Sequence, residues 1–70
     1  MTIKNLNGED INISEKDINK YKIMLSNKAL KYHNKAKEAS GLTQEDLLVF
    51  KETLYMLDQI VKLDKNRPNR

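Results

Sequence analysis

Two short stretches of the chain have almost the same helix-start pattern. Residues 13–18 read Ile-Ser-Glu-Lys-Asp-Ile, and residues 42–47 read Leu-Thr-Gln-Glu-Asp-Leu. In each, a hydroxyl residue (Ser14 or Thr43) can accept a hydrogen bond from a free backbone N–H of the first helical turn. An Asp three residues later can accept from the N–H of the capping residue itself, and an apolar pair brackets the cap at the spacing of a hydrophobic staple. The sequence therefore predicts two helices that start at these caps.

A glycine separates the two helix starts. Gly41 is the residue type that most readily adopts the left-handed conformation at a helix end. The first helix is therefore predicted over residues 15–39 and the second over residues 44–64. A connection of about four residues forces the two helices to be antiparallel neighbours.

The N-terminal residues 1–13 are predicted to form a β-hairpin, because Asn7-Gly8 is a strong turn signal. A two-residue loop would place the apolar residues of the two strands on opposite faces. A three-residue loop over residues 6–8, with a left-handed glycine, places them on one face, so this register is expected. The apolar face consists of Met1, Ile3, Ile11 and Ile13. It must pack on the helices, because an isolated hairpin is barely stable in water, and its open edges invite pairing with another chain.

Apolar residues at helical spacing define the expected contact between the helices. On the first helix the core stripe tapers from bulky residues to alanine. It consists of Ile18, Tyr21, Leu25, Ala29, Tyr32, Ala36 and Ala39. On the second helix a heptad seam is expected to pack against this stripe. The seam consists of Leu47, Phe50, Leu54, Leu57 and Val61.

The second helix carries more apolar residues than this seam needs. Its apolar arc spans about 200°, which one tapered helix and a small hairpin cannot cover. The surplus is therefore predicted to form a homodimer interface or a docking site for a partner protein. The predicted interface residues are Leu48, Val49, Tyr55, Met56, Ile60 and Leu63.

The small size of the chain also favours self-association. A domain of 70 residues buries only about 60% of its unfolded surface, and small folds usually add disulfides, a metal or a partner chain. The chain has no Cys and one His, so disulfides and thiolate zinc sites are excluded, and no metal or cofactor is expected. We expect an α+β, mainly α fold in one domain over residues 1–64, completed by homodimerisation and followed by a disordered basic tail over residues 65–70.

No apolar run approaches the roughly 18 residues of a membrane span, and the N-terminus lacks a signal-peptide core. The expected location is therefore the cytoplasm, with no membrane contact. Lys, Asn and Ile are abundant and all have A/T-rich codons, which favours a low-GC bacterium or its phage as the source.

The charge of the chain is unevenly distributed between the helices. The net charge is +3, yet residues 15–39 hold seven Lys and three acidic residues, whereas residues 44–64 hold five acidic residues and two Lys. Four lysines within one sector of the first helix, named here the lysine ridge, are candidates for contact with an anion or with nucleic acid phosphates. They are Lys20, Lys28, Lys31 and Lys35. Neither helix contains Arg, the side chain best suited to phosphate and base recognition.

Residues 40–47 resemble the opening of a lambda-repressor-like helix-turn-helix domain, in which Gly-Leu-Thr-Gln-Glu-Asp/Glu-Leu begins the positioning helix. That family next needs a glycine turn and a separate recognition helix. Here residues 48–54 continue the same helix, so the likeness lies in shared capping chemistry and predicts no DNA-binding function.

The same region is similar to the small helical-hairpin phosphatases of sporulation response regulators, whose Ser-Gln-Glu-Leu-Asp signature would fall on residues 51–55. Of that signature only Leu54 is present, and the catalytic Asp is replaced by Tyr55. Residues 36–39 with the capped helix that follows also resemble short anti-repressors, which pair a helical hairpin with that of a regulator. The resemblance to anti-repressors implies a regulatory protein that binds a partner.

The function predicted from these features is that of a non-enzymatic regulatory or inhibitory module, which binds a partner protein through helix surface. The alternative is a nucleic-acid-binding protein that uses the lysine ridge, and a second alternative is a phosphatase-like helical hairpin. No catalytic residue is predicted. Tyr21 and Tyr32 are expected to pack in the core, and His33 is expected to be solvated.

Overall fold

The computed structural model describes residues 1–66 and shows an N-terminal β-hairpin followed by two helices. Strand β1 spans Thr2–Lys4 and strand β2 spans Asp10–Asn12; a short 3-10 helix over Glu15–Asp17 leads into helix α1, Ile18–Ala36, and helix α2 spans Gln44–Lys65. The expected mainly helical α+β fold is confirmed. The predicted tail starts too early, because Lys65 is the last residue of α2; its residues 67–70 lie outside the described residues.

The β-hairpin has the register that its apolar pattern predicts. The strands are antiparallel, with the pairs Thr2↔Asn12, Ile3↔Ile11 and Lys4↔Asp10. The N–H of Gly8 donates to the carbonyl of Asn5 at 3.1 Å, and Gly8 has a φ of +82°, so the loop covers residues 6–8. Ile3 and Ile13 are almost fully buried, but Met1 at the chain end is 42% exposed.

Helix α2 binds the outer edge of β1. The side-chain amide of Gln59 accepts from the N–H of Lys4 at 2.8 Å and donates to its carbonyl at 2.7 Å, as a further strand would. A carboxylate oxygen of Glu52 accepts from the N–H of Leu6 at 3.3 Å. The outer edge of β1 was expected to be open, but side chains of α2 bind its backbone groups, so this edge is not open to another chain. These contacts fix the hairpin to the side of α2 that carries Glu52 and Gln59.

The core lies where the β-hairpin meets both helices. Its buried residues are Ile3, Ile13, Ile18, Leu25 and Ile60, and the half-buried residues Ile11, Tyr21, Met56, Leu57 and Leu63 pack against them. The helices run antiparallel, because Lys22 pairs with Asp64 at one end and Lys35 pairs with Asp46 at the other. Between these pairs, the rings of Tyr32 and Phe50 stack with their centroids 6.3 Å apart.

Helix α2 turns a different face to the core than the predicted seam. Its fully buried residues are Thr53 and Ile60, which belong to an interleaved series with the same heptad spacing. The series is Val49, Thr53, Met56, Ile60 and Leu63. Of the predicted seam, only Phe50 and Leu57 are half-buried. The other three seam residues, Leu47, Leu54 and Val61, are exposed.

Thr53 explains why the buried series is difficult to recognise in the sequence. Its hydroxyl donates to the carbonyl of Val49 in the preceding turn at 2.6 Å. The hydrogen-bonding need of the side chain is thus met within its own helix, so Thr53 can be 2% exposed without a polar partner elsewhere.

Helix α1 ends earlier than predicted, at Ala36. Residues 37–43 form the connection. Both Ala36 and Ala39 are exposed, so the last two residues of the predicted core stripe do not belong to the core. Gly41 has the predicted positive φ, +65°. It closes a separate turn by donating from its N–H to the carbonyl of Glu38 at 3.0 Å, instead of capping α1.

The two predicted helix caps differ. At Thr43 the capping box is confirmed: the hydroxyl accepts from the N–H of Asp46 at 3.1 Å, and the Asp46 carboxylate accepts from the N–H of Thr43 at 3.2 Å. At Ser14 the predicted box is wrong. The N–H of Asp17 donates to the backbone carbonyl of Ser14, as a 3-10 turn requires, and the hydroxyl of Ser14 donates to the Asp17 carboxylate at 2.9 Å.

This difference predicts unequal effects of removing the two hydroxyls. Thr43→Ala should lower the free energy of unfolding by about 1 kcal/mol, because it leaves a helical N–H without its acceptor. Ser14→Ala should change it by less than about 0.5 kcal/mol, because that hydroxyl caps no N–H. Denaturant melts of the two variants measure both values. Equal losses would contradict the two cap structures.

Gly41→Ala should lower the free energy of unfolding by roughly 1 kcal/mol, because a Cβ is strained at a positive φ. Nothing lies within 4 Å of the position of that Cβ, so the loss comes from the backbone conformation alone. Gly41→Asn is the control and should lose less, because Asn tolerates the left-handed region. An alanine variant as stable as the wild type in denaturant melts would exclude this conformation.

Candidate interaction surface

One side of the helix pair carries exposed apolar side chains at intervals of seven residues. On α1 they are Ile23 and Leu30, and on α2 they are Leu47, Leu54 and Val61. Their exposed fractions lie between 45% and 61%. We name these five residues the open face. Isolated apolar side chains are normal on a protein surface, but a contiguous set on one side indicates an interaction site.

A groove between the helices joins the two halves of the open face. It has a volume of about 310 Å³ and is lined by Ser26, Ala29, Leu30 and His33 of α1 and by Phe50, Leu54 and Leu57 of α2. Leu30 and Leu54 therefore lie on the same side of the molecule. The seven-residue spacing carries this side along both helices, towards Ile23 on α1 and towards Leu47 and Val61 on α2.

The open face lies away from the β-hairpin. The hairpin is attached to α2 through Glu52 and Gln59. At about 100° per residue, Leu54 lies roughly 150° around the helix from both of these residues. The hairpin therefore covers one side of the helix pair and leaves the opposite side exposed.

The outer rims of the open face differ in charge. On α2, the exposed residues Lys51 and Asp58 follow Leu47 and Leu54 by four positions, and Asp58 forms an exposed ion pair with Lys62 at 3.0 Å. On α1, the exposed residues Asn27 and Asn34 occupy the equivalent positions after Ile23 and Leu30. The rim of α2 thus alternates in charge, whereas these two positions of the α1 rim are uncharged.

The predicted interface residues fall into three groups: one is buried, three are half-buried and two are exposed. Ile60 is 0% exposed and lies in the core of the chain itself, so it is not on a surface. Val49, Met56 and Leu63 are half-buried. These four residues are covered because the β-hairpin packs on the part of α2 whose apolar residues were predicted to be left without contacts in the chain.

Only Leu48 and Tyr55 of the predicted interface are exposed, by 62% and 43%. Leu48 lines a shallow depression of about 200 Å³ next to the hairpin loop, together with Leu6, Asn7, Val49 and Glu52. Leu48 also borders the end of the open face, because it lines a second depression together with Gln44, Leu47 and Lys51. The heptad spacing of Leu47, Leu54 and Val61 is visible in the sequence, but it predicts contact with α1 and not an exposed surface.

The lysine ridge is only partly available to a ligand. Lys20, Lys28 and Lys31 are exposed. Lys35 lies 2.8 Å from the carboxylate of Asp46, and this hydrogen bond and ion pair raise the pKa of Lys35. The pKa of Asp46 is lowered, first by the Lys35 hydrogen bond and then by the backbone N–H of Thr43.

Other candidate residues occupy the positions expected of them. Tyr21 and Tyr32 are half-buried, and His33 is exposed at the groove. Within residues 1–66, no group of three or more His, Cys, Asp and Glu side chains is arranged to hold a metal ion. Over the same residues, neither helix combines the length and the apolar character needed to cross a membrane.

Comparison of the chain with known protein families, with curated proteins and with solved structures gives no match.

The contact between Lys35 and Asp46 predicts a pH dependence of stability. A lowered carboxylate pKa stabilises the fold above the unfolded-state pKa of about 3.9, and this contribution is lost as the pH falls through the folded-state value. Asp46→Asn should therefore be less stable than the wild type near neutral pH, and this stability gap should narrow as the pH drops below about 4. Denaturant melts across this range measure the gap.

Lys35→Met serves as the control, because it removes the largest cause of the shift. In that background the effect of Asp46→Asn should depend less on pH. The difference in unfolding free energy between wild type and Asp46→Asn should change with pH. An equal difference at neutral and acidic pH would contradict the coupling between Lys35 and Asp46.

Proposed function

We propose that this chain is a non-enzymatic protein–protein interaction module that binds through the side of its helix pair opposite the β-hairpin. The observation that supports this function best is the open face: five large apolar side chains, all at least 45% exposed, around an apolar groove with polar rims. An apolar centre within a polar rim is the usual composition of a protein interface.

The open face is presented by a scaffold with fixed geometry. The helices are held together by the core below the hairpin and by Lys22–Asp64 and Lys35–Asp46 at opposite ends. A preformed surface loses little conformational entropy on binding. We extend the proposal to a regulatory or inhibitory role, exerted through protein contact, in the cytoplasm of a bacterium or its phage.

Nucleic acid binding through the lysine ridge is the alternative, and the exposure of Lys20, Lys28 and Lys31 on one side of α1 is the observation in its favour. Each phosphate that is neutralised contributes a counterion-release term, so three lysines support only weak, strongly salt-dependent binding. Lys35 adds little, because Asp46 already compensates its charge. We therefore favour the protein-binding function.

The two functions predict different cross-linking partners. A photoreactive amino acid in place of Leu54, introduced in the cells that naturally make the protein, should form adducts with protein chains, because this residue is at the centre of the open face. The same amino acid in place of Lys28 is the matched control on the other side of α1 and should form few adducts. Mass spectrometry of the products identifies the partners.

A binding assay tests the alternative directly. With generic DNA or RNA at about 150 mM salt, the wild type should bind no more tightly than Lys28→Glu combined with Lys31→Glu. Tight wild-type binding that falls steeply with salt and is lost in the double variant would contradict the proposed function. Nucleic acid adducts at position 28, with none to protein at position 54, would do so as well.

A further inference from the structure

The apolar residues of α2 on the open face are arranged symmetrically about Leu54. Leu47 precedes it by seven residues and Val61 follows it by seven. When two copies of α2 lie antiparallel with a twofold axis beside Leu54, this residue meets its equivalent, and Leu47 of each copy meets Val61 of the other. The exposed face of α2 is thus complementary to itself, as a twofold interface requires.

The charged rim of α2 is complementary in the same register. In an antiparallel helix pair, each flank of one helix meets the same flank of the other. Lys51 and Asp58 lie on one flank, four residues after Leu47 and Leu54. The axis at Leu54 therefore places Lys51 of each copy opposite Asp58 of the other, which makes two pairs of opposite charge.

Shifting the register by seven residues removes this complementarity. A shift in one direction would place Lys51 opposite Lys51, and a shift in the other would place Asp58 opposite Asp58. Both arrangements bring like charges together, which disfavours them. The charges therefore select the register that also pairs all the apolar residues of this face.

Helix α1 fits the same symmetry at Leu30 but not at Ile23, whose symmetric position is Lys37. Leu30 lies across the groove from Leu54, so the axis also brings Leu30 close to its equivalent. The rim residues Asn27 and Asn34, which follow Ile23 and Leu30 by four positions, then meet each other and place no like charges in contact. The interface would cover four of the exposed large apolar side chains with apolar partners: Leu30, Leu47, Leu54 and Val61.

We propose that a second copy of this chain covers the open face, antiparallel and with its twofold axis beside Leu30 and Leu54, so that four helices form one bundle with a β-hairpin on each outer side. This inference rests on the proposed function in that both assign the open face to protein contact. It names the partner and the register. A second copy also supplies the burial that a chain of 70 residues lacks.

Single cysteines test the position of the axis, because the chain has no cysteine of its own. Leu54→Cys should form a disulfide-linked dimer on mild oxidation, since residues facing each other at the axis come within the roughly 4.4–6.8 Å Cα separation that a disulfide spans. Leu48→Cys is the matched control: it is more exposed, 62% against 46%, but lies about 120° around α2 from Leu54 and six residues from the axis. It should cross-link only slowly.

Charge reversal tests the register. Lys51→Glu should raise the dimer dissociation constant about tenfold, because it places two acidic residues opposite each other at two places. Combining it with Asp58→Lys should restore the wild-type constant. Within one chain these residues lie seven positions apart, about 10 Å along the helix, so this rescue requires contact between copies. Sedimentation equilibrium measures the constants.

A wild-type monomer at about 100 μM would overturn the inference, as would failure of the double reversal to rescue Lys51→Glu, or equal cross-linking of Leu48→Cys and Leu54→Cys. Failure of the proposed function is distinguishable from these outcomes. If the wild type is monomeric and a photoreactive residue 54 still cross-links to a different protein, only the second copy is excluded. If residue 54 cross-links neither to a second copy nor to a different protein, the open face is not a protein contact.

Discussion

A single two-stranded hairpin can cover only one side of a pair of helices, and this geometric constraint accounts for most features of the molecule. The side chain of Gln59 binds both backbone groups of Lys4 and thereby holds the hairpin on one side of α2. Ile3 and Ile13 then bury the part of the core that contains Ile18 and Ile60. The apolar residues on the opposite side of the helices have no cover within residues 1–66.

Helix α2 is the element on which the two sides of the molecule meet. It carries two interleaved heptad series, and each has a separate role. The series that contains Thr53 and Ile60 is buried or half-buried on the side of the hairpin, whereas Leu47, Leu54 and Val61 form part of the open face. Phe50 and Leu57, between the two, contact α1 at the bottom of the groove. A broad apolar arc is therefore what a helix needs when it contributes to a core and to a contact surface.

Local chemistry made much of the fold predictable. The parity of the apolar residues fixed the register of the hairpin, and the Thr43 cap and the positive φ of Gly41 followed from residue type and spacing. The choice between the two series of α2 could not be made in this way, because it depends on where the hairpin packs. The polar residue Thr53 makes its series look less suited to the core than the predicted seam. Its hydroxyl, however, bonds within its own helix, so Thr53 can be buried. Nor does the sequence reveal that a 3-10 turn uses the N–H that Ser14 was expected to cap.

The most direct test of the account is the solvent accessibility of individual methyl groups, measured by NMR line broadening with a soluble paramagnetic agent. In the single chain Leu30 and Leu54 are 57% and 46% exposed, and Leu48 is 62% exposed. If the open face is the contact surface, the methyl groups of Leu30 and Leu54 should be protected in the wild-type protein almost as well as those of the buried Ile60, while those of Leu48 are broadened. Methyl groups of Leu30 and Leu54 that broaden as much as those of Leu48 would show that nothing covers the open face, and would contradict the account.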